Sequence, residues 1–269
     1  MNIFITGASG GIGLATAKYL IGKGHTVIGT SRHERDMGFP IYVMDATDPS
    51  SIDNAVSSVL SDFGHIDVLI NSAGSGLGGA FEDYSDEQLQ EELSLNTIGA
   101  VRVIRRFLPS MREHGGKIFC IGSVAGIVPI PFQSMYSASK AALELMCGSL
   151  RLELRGTGVQ FCVVCPGDTK TGFTGSRIYA EGRTPFYKER CEHALNAMMH
   201  DEMNGKDPLT VAKTIDKQIN KKRLPAKVTV CFEYKLLSGL AHILPRRLME
   251  FVLSKIYLES KKDVGFRYQ

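Results

Sequence analysis

The sequence lacks the features that mark several specialised classes of protein. No window holds about 18 consecutive apolar residues, so no transmembrane helix is expected. No basic segment precedes the first apolar run and no cleavage-site pattern follows it, so we expect no secretory leader and a cytoplasmic location. Neither internal repeats nor low-complexity tracts interrupt the chain, which favours an ordinary globular protein.

Cysteine is scarce and is not arranged as a metal or redox site. Six cysteines are dispersed along the chain, and the one C-x-x-C pair, Cys162 and Cys165, lies inside an apolar segment. A zinc site would need a second pair, and a redox pair would need a helix N-terminus. We therefore expect buried, reduced thiols and no metal.

Charge is ordinary in amount but uneven in distribution. Of the 269 residues, 43% are hydrophobic and 22% charged, which suits a single domain spanning 1–269. The net charge is +3, yet positions 221–269 alone hold 11 Lys and Arg against 4 Asp and Glu. A basic tail can indicate nucleic acid or an anionic membrane. Because no aromatic stacking platform accompanies it, we expect no nucleic-acid partner.

Apolar runs alternate with amphipathic segments along most of the chain. Short runs rich in Val, Ile and Phe predict about seven strands, at 2–6, 26–31, 41–45, 67–73, 117–123, 159–165 and 227–232. Helical periodicity predicts helices near 11–23, 49–63, 86–112 and 135–154. This order predicts an α/β fold of the Rossmann type, a doubly wound parallel sheet with helices on both faces.

Two later segments depart from that order. Residues 168–225 form an insertion after the sixth predicted strand, and we interpret it as a substrate lid, with a plain connecting loop as the alternative. Residues 233–269 predict a C-terminal helical extension, in which Leu248, Phe251, Val252 and Ile256 fall at helical spacing. Packing on the core or on a partner subunit is favoured for this extension over contact with a membrane surface.

A glycine-rich turn follows the first predicted strand. In "TGASGGIG", Gly7, Gly11 and Gly13 stand between a strand and a helix, with Ser9 and Ile12 among them. Glycine permits the tight turn, close approach of a pyrophosphate and close packing of the helix on the strand. The helix N-terminus then faces the phosphates. We expect a dinucleotide to bind here.

The end of the second predicted strand bears on which dinucleotide binds. NAD-binding sheets carry a carboxylate there, whereas this chain has Ser31 and Arg32. A guanidinium binds a 2′-phosphate through charge-assisted hydrogen bonds, and a carboxylate would repel it. The sequence therefore favours NADP(H) over NAD(H), although Arg32 on its own also fits an ordinary loop arginine.

A tyrosine and a lysine stand one helical turn apart in "MYSASKAALEL". Tyr136 and Lys140 would share one face of a helix. Taken alone, the pair is more typical of a solvated helix face than of a catalytic site. A phenol has a pKa near 10, and a neighbouring ammonium would lower that pKa, so the pair also fits acid–base chemistry.

With these motifs in place, the chain resembles the compact one-domain branch of the short-chain dehydrogenase/reductase family. The resemblance covers residues 1 to about 172 well and 225–232 loosely. It rests on the glycine loop and on five further motifs in the family's order. These are "DATD" with Asp45 and Ala46, "NSAG" with Asn71, Ala73 and Gly74, Asn96 in "SLNTIGA", Ser123 with Tyr136 and Lys140, and "PGDTKT" with Pro166, Gly167, Thr169 and Thr171.

The resemblance implies a role for each of these residues. Tyr136 would be the general acid in reduction and the base in oxidation, while Lys140 would bind the nicotinamide ribose and bias the phenol. Ser123 would hydrogen-bond the reacting oxygen, and Asn96 would hold a water that relays protons to Lys140. Asp45 would reach the adenine, and the "PGDTKT" loop would lie beside the nicotinamide. Family members usually pair through helices matching 97–112 and 136–154, so a homodimer or homotetramer is expected.

Substrate identity is the least determined feature. The segment 124–135 is nearly all apolar, and Val124, Ile127, Ile130 and Phe132 either line an apolar pocket or cover the sheet. The leading hypothesis is an NADP-dependent enzyme that interconverts a secondary alcohol and a ketone, with an apolar, hydroxysteroid-like or lipid-like substrate. A 3-oxoacyl thioester reductase is the alternative, for which Arg102, Arg105 and Arg106 would supply a basic pocket mouth. A non-catalytic NADP(H) sensor is the hypothesis from another class.

Overall fold

The computed structural model describes residues 1–181 and 184–258. Seven strands form the central sheet, and all of their pairings are parallel. They are β1 (Asn2–Thr6), β2 (Thr26–Ser31), β3 (Ile41–Val43), β4 (Val68–Asn71), β6 (Gly116–Ile121), β7 (Val159–Cys165) and β9 (Lys227–Thr229). Their spatial order is β3-β2-β1-β4-β6-β7-β9. The predicted seven-stranded, doubly wound sheet is confirmed, and the strand order reverses between β1 and β4, where such folds bind ligands.

Helices cover both faces of the sheet. The first seven α-helices of the described chain are α1 (Gly11–Ile21), α2 (Pro49–Phe63), α3 (Asp86–Leu93), α4 (Ala100–His114), α5 (Ser134–Glu153), α6 (Lys188–Met203) and α7 (Leu209–Ile219), of which α1, α2, α4, α5 and α7 pack on the sheet. On one face, α2, α4 and α5 bury residues such as Ile52, Phe107 and Leu143. On the other face, α1 and α7 bury Leu20 and Ile215. The central strands are buried on both sides, which explains why they read as continuous apolar runs.

The helix predicted over 86–112 is interrupted. It divides into α3 and α4, with a π-helical turn at Ser94–Gly99 between them. The side chain of Asn96 bonds to both backbone groups of Ser75, and Thr97 Oγ1 donates to Ser139 O at 3.0 Å. These tertiary bonds hold a widened turn, which hydrophobic periodicity does not reveal. Such turns are frequent at functional sites.

The insertion after β7 folds back over the carboxyl end of the sheet. Its strand β8 (Ile178–Tyr179) pairs with β5 (Leu77–Gly78), which lies in the loop after β4. Further on, α6 and α7 complete the insertion, and the backbone of Lys206 forms a parallel β-bridge with that of Thr169. This return places Phe173 and Arg177 beside Gly76 in the loop after β4, and Met198 beside Gln133 in the segment after β6. Residues 182 and 183 of the predicted lid lie outside the described residues.

Two helices form the described part of the C-terminal extension, α8 (Phe232–Ile243) and α9 (Arg246–Tyr257). The face of α9 that packs on the core carries Met249 and Leu253, which contact Val124 and Val128. The four residues noted for their helical spacing instead lie on the exposed side, between 37% and 56% accessible. The pattern therefore identified the helix but not its buried face. Residues 259–269 of the predicted extension lie outside the described residues.

Searched over the residues that the structure describes, the helices include none that is both long enough and apolar enough to cross a membrane. The hypothesis of membrane-surface contact through the C-terminal extension stays a prediction.

Candidate active site

A cavity of about 520 Å³ runs along the carboxyl ends of the strands. Its lining begins at the glycine loop after β1, continues past the loops after β4, β6 and β7, and ends on α8 and α9. Most of the predicted site residues line it: Gly7, Ser9, Gly11, Ile12, Ser31, Arg32, Ala46, Ala73, Gly74, Ser123, Tyr136, Lys140, Pro166, Gly167, Thr169 and Thr171. Four predicted residues do not line it: Gly13, Asp45, Asn71 and Asn96.

The glycine loop has the geometry that a pyrophosphate needs. Gly7 has a φ of +65°, and a Cβ on it would lie 3.0 Å from Ala73 Cα. A Cβ on Gly13 would collide with the carbonyl oxygen of Gly7, so Gly13 serves packing of α1 on the loop rather than direct contact. The N-terminus of α1 has neither a side-chain cap nor an acidic residue in its first turn. Its N–H groups are therefore placed to receive an anion, and the loop fits a dinucleotide.

The adenine end of the cavity carries a positive charge. Ser31 ends β2 and Arg32 follows it, and both line the cavity. Asp45 Oδ1 accepts hydrogen bonds from Thr47 N at 2.8 Å and Thr47 Oγ1 at 2.7 Å. Burial acts to raise the pKa of Asp45, but these bonds and the nearby Arg32 guanidinium outweigh it and lower the pKa. Asp45 thus stays a carboxylate that orders its own loop.

The turn after β4 is held by a threonine from β1. Thr6 Oγ1 accepts hydrogen bonds from the backbone N–H groups of Ser72 and Ala73, both at 3.0 Å. Asn71 is buried one residue earlier, and its Nδ2 lies 4.0 Å from Cys120 Sγ. The Asn71 side chain therefore faces β6, while Ala73 and Gly74 line the cavity.

Tyr136, Lys140 and Ser123 all line the cavity. Tyr136 and Lys140 lie on one face of α5, and Ser123 follows β6. Burial raises the pKa of Tyr136 to about 12; a hydrogen bond with Ser123 and the charge of Arg177 act against that rise, and Glu92 and Glu202 add to it. This direction is opposite to the one expected from the neighbouring ammonium alone, because removing a phenolate from water outweighs the nearby cation.

Lys140 is buried, and burial lowers the pKa of its ammonium, while the charge of Glu92 opposes that shift. Its Nζ donates to Ile121 O at 3.0 Å, the one hydrogen bond that this ammonium makes within the described residues. The remaining ammonium hydrogens are available on the cavity side, where a cofactor ribose would bind.

The side chain of Asn96 is held by hydrogen bonds to other protein groups, and the water-holding role that the resemblance implied stays a prediction. Its Oδ1 accepts from Ser75 N at 2.9 Å, and its Nδ2 lies within hydrogen-bond distance of three acceptors. These acceptors are Ser75 O, Glu92 Oε1 and Ser139 Oγ. The amide is therefore fully engaged by protein groups, and it fixes the loop after β4 to α3 and α5.

Several cavity residues escaped the sequence analysis because the chain brings them in from distant segments. Phe173, Met198 and Glu202 come from the insertion, Gln133 precedes α5, and α8 and α9 contribute Tyr234, Leu237, Leu253 and Tyr257. Ile256, noted above for its helical spacing, also lines the cavity although it is half exposed. Of the four apolar residues proposed in 124–135, Val124 and Ile130 line the cavity and the other two do not. Asp168 sits inside the quoted "PGDTKT" motif, and its position between two cofactor-side residues was the available signal.

Comparison with known proteins agrees with this geometry. Residues 1–181 match the model of the family described as short chain dehydrogenase. The chain belongs to that family. It is 36% identical to the 3-ketodihydrosphingosine reductase of Bacteroides thetaiotaomicron, over 95% of this chain and 97% of that protein. It is 38% identical to the ketoacyl reductase HetN of Nostoc, over 64% of this chain and 65% of that one.

The fold agrees as well. A short-chain dehydrogenase structure from Streptomyces avermitilis superimposes with a TM-score of 0.82 at 29% identity, covering 94% of this chain and 97% of that one. The protein is thus a short-chain oxidoreductase with a Rossmann-type nucleotide-binding fold, a family whose members act on CH–OH groups.

Proposed function

We propose that this oxidoreductase uses NADP(H) to interconvert a secondary alcohol and a ketone, and that its substrate class is the long-chain 2-amino-3-ketone exemplified by 3-ketodihydrosphingosine. The observation that carries this proposal is the composition of the cavity. A phenol lies at its centre, apolar side chains lead from it to α8 and α9, and two carboxylates stand beside them.

The residues present support NADP(H) as the cofactor. Arg32 and Ser31 occupy the end of β2, and neither can repel a 2′-phosphate as a carboxylate would. The uncapped α1 N-terminus would hold the pyrophosphate, and the loop with Pro166 and Thr169 would lie beside the nicotinamide. When bound, this cofactor supplies a hydride for the carbonyl carbon.

The protein groups would move and stabilise the proton. With its pKa raised to about 12, Tyr136 keeps its phenol protonated at neutral pH, which is the form that donates to a carbonyl oxygen. Ser123, which hydrogen-bonds Tyr136, would position the same oxygen. The Lys140 ammonium would stabilise the phenolate left after proton donation and would bind the ribose hydroxyls.

The walls of the cavity fit a lipid that also carries an amine. Val128, Met198, Leu237 and Leu253 offer an apolar path for an alkyl chain. Asp168 and Glu202 line the same cavity, where Glu202 already pairs with the Arg177 guanidinium. Burial raises the pKa of Asp168, and the charges of Asp201 and Glu202 add to that rise. A substrate ammonium beside Asp168 would stabilise its carboxylate form. The full-length similarity to a 3-ketodihydrosphingosine reductase supports the same class.

A 3-oxoacyl thioester is the second candidate substrate, supported by the similarity to HetN. The basic mouth proposed for it has less support. Arg102 donates to Thr47 O at 2.7 Å, and Arg106 pairs with Asp53 on α2. None of the three arginines considered for this role lies among the cavity residues. Arg102 and Arg106 thus bind neighbouring protein groups instead of facing the cavity, so this candidate ranks second.

Turnover assays decide between these functions. NADPH oxidation is measured with 3-ketodihydrosphingosine, an acetoacetyl thioester and an uncharged long-chain ketone, and each assay is repeated with NADH. We expect the amino ketone with NADPH to give the highest kcat/KM. Preference for the thioester would overturn the substrate assignment. Cofactor binding without any consumption would instead support the sensor hypothesis.

We also propose that residues 168–225 act as a lid within a single domain spanning 1–269, since Phe173, Met198 and Glu202 from this segment form one cavity wall. For assembly we propose a homodimer or homotetramer through α4 and α5. Leu145 and Leu152 on α5 are each 75% exposed in the single chain, and a partner would cover them. The mass of the particle in solution, measured by light scattering, tests this assembly.

A further inference from the structure

A buried glutamate, Glu92, lies close to Asn96 and Lys140. Glu92 is in the last turn of α3 and is only 2% exposed. Its Oε1 accepts from Asn96 Nδ2 at 2.8 Å, and its Oε2 accepts from Ser75 Oγ at 2.9 Å. Glu92 and Asn96 are four residues apart, so the carboxyl lies on the helix face that turns towards α5.

The ammonium of Lys140 lies in the same small region. A Cβ on Gly74 would lie 2.9 Å from Asn96 Oδ1 and 3.4 Å from Lys140 Nζ, so both groups border this glycine. Neither oxygen of Glu92 has a Lys or Arg nitrogen within 4.0 Å among the described residues, so its influence on Lys140 acts across Asn96 and through space. Burial raises the pKa of Glu92 to about 7, and the charges of Lys140 and Arg177 act against that rise.

An ionisable carboxyl at this position lowers the stability of the fold, because its charged form is buried. An amide of the same shape would accept from Asn96 and meet Ser75 Oγ without placing a charge in the interior. Buried ionisable groups that packing does not require are most often kept for function, at some expense of stability. Glu92 therefore calls for a role that depends on its charge.

We infer that Glu92 is a positioning residue, which orients the Asn96 amide and holds Lys140 in its ammonium form. With Glu92 ionised, the negative charge behind Lys140 offsets the burial of the ammonium. Removing that charge makes Lys140 lose its proton at lower pH, and Tyr136 then loses the cation that stabilises its phenolate. This inference rests on the proposed oxidoreductase activity for its functional consequence, but its electrostatic part does not.

The titratable and charged groups around this pair come from several elements. Those that interact with Glu92 are Lys140, Arg177, Tyr84 and Tyr136, and those that interact with Lys140 are Glu92, Cys120 and Cys165. Glu92 is the one carboxyl among the groups that interact with Lys140. Removing its charge should therefore change the pKa of Lys140.

The first measurement needs no turnover. The pKa of Lys140 is determined by NMR of ¹⁵N-lysine-labelled protein without ligand, with Lys140→Arg used for assignment. We expect Glu92→Gln to lower this pKa by about one unit, as the loss of a nearby opposite charge does. Glu91→Gln removes the same charge from the exposed neighbouring position and is expected to leave the pKa unchanged. An equal pKa in wild type and Glu92→Gln would overturn the inference.

The second measurement follows kcat for ketone reduction at saturating NADPH from pH 6 to 10. We expect the alkaline limb of the Glu92→Gln profile to move to lower pH by about one unit, with NADPH affinity near neutral pH unchanged. A profile that superimposes on the wild type would contradict the functional role. Absence of turnover in the wild type would count against the proposed function alone, since the NMR result stands independently.

Should Glu92→Gln not fold, Glu92→Asp replaces it. This variant keeps the charge but withdraws the carboxylate from Asn96 by one methylene. A lower kcat with unchanged NADPH affinity supports the positioning role, and an unchanged kcat overturns it.

Discussion

The Lys140 ammonium lies 5.7 Å from the centroid of the Tyr136 ring, one turn further along the same face of α5. Both side chains line the cavity, and the ring of Tyr136 packs 5.7 Å from that of Phe173. The spacing of two residues along a helix thus becomes a phenol and a cation that face one cleft. The following predictions test what this arrangement and its surroundings do.

Replacing Tyr136 with Phe should remove the proton donor and retain the ring. Because Phe keeps the packing against Phe173, NADPH affinity measured by fluorescence should stay within about twofold. The loss of a general acid lowers kcat by roughly 10²- to 10⁴-fold. Near-normal turnover of Tyr136→Phe would contradict the acid–base role, and Tyr179→Phe, a tyrosine outside the cavity, serves as the control.

Replacing Arg32 with Ala should alter cofactor preference. A hydrogen bond to a charged group contributes about 1.5–3 kcal/mol, so the KM for NADPH should rise roughly tenfold or more while the KM for NADH changes little. Arg35→Ala removes an exposed arginine from the same loop outside the cavity and is the matched control. Equal changes for both cofactors would remove Arg32 from the 2′-phosphate site.

Replacing Asp168 with Asn should raise the KM for amino ketones and leave the KM for uncharged ketones nearly unchanged. Asp168 lines the cavity, and its Oδ2 accepts from Tyr234 Oη at 2.7 Å, so the isosteric amide preserves packing. We expect the KM for the amino ketone to rise roughly tenfold and that for an uncharged long-chain ketone to stay within about twofold. Glu189→Gln, an exposed change on α6 outside the cavity, should affect neither. A parallel rise for both substrates would argue against ammonium recognition.

The buried carboxyl of Glu92 should make stability depend on pH. Its pKa is about 7 in the folded protein against 4.5 ordinarily, so the folded state binds more protons between those values. Its favourable contribution is therefore complete below pH 4.5 and is lost as pH rises through 7, by roughly 3 kcal/mol in total. Glu92→Gln does not titrate, so its melting temperature should gain on the wild type as pH rises from 4.5 to 8. A difference in melting temperature between the two proteins that stays constant across that pH range would show that folding does not raise the pKa of Glu92.

Local sequence was sufficient for the sheet and for much of the site. The buried strands are visible in the sequence as short apolar runs, and the glycine pattern after the first strand predicts a tight turn. Gly7 has the positive φ expected of it, while Gly13 contacts the loop instead of the cavity. Asp45 and Asn71 also belong to the family's motifs but do not line the cavity: Asp45 bonds to its own turn, and Asn71 contacts Cys120 on β6. A motif predicts where a residue stands in the chain, whereas its contacts depend on neighbours that the motif does not contain.

The periodicity of apolar residues predicted that the helices exist, but it did not predict their irregular turns or which of their faces are buried. The continuous pattern over 86–112 gave no indication of the π-helical turn at Ser94–Gly99, because that turn is held by bonds from Asn96 and Thr97 to other segments. On α9, the apolar stripe with Phe251 is exposed, and Met249 and Leu253 face the core instead. A helix with apolar residues on two sides leaves the choice of buried face to its neighbours.

By itself, the sequence determined the doubly wound sheet, the nucleotide loop and the pairing of Tyr136 with Lys140, since each depends on spacing between residues close in the chain. Only the tertiary structure decided that Asp168 and Glu202 share the cavity, that Glu92 is buried near Lys140, and that burial raises the pKa of Tyr136. Burial and electrostatic environment arise from segments that meet only after folding, and for that reason they cannot be read from local spacing.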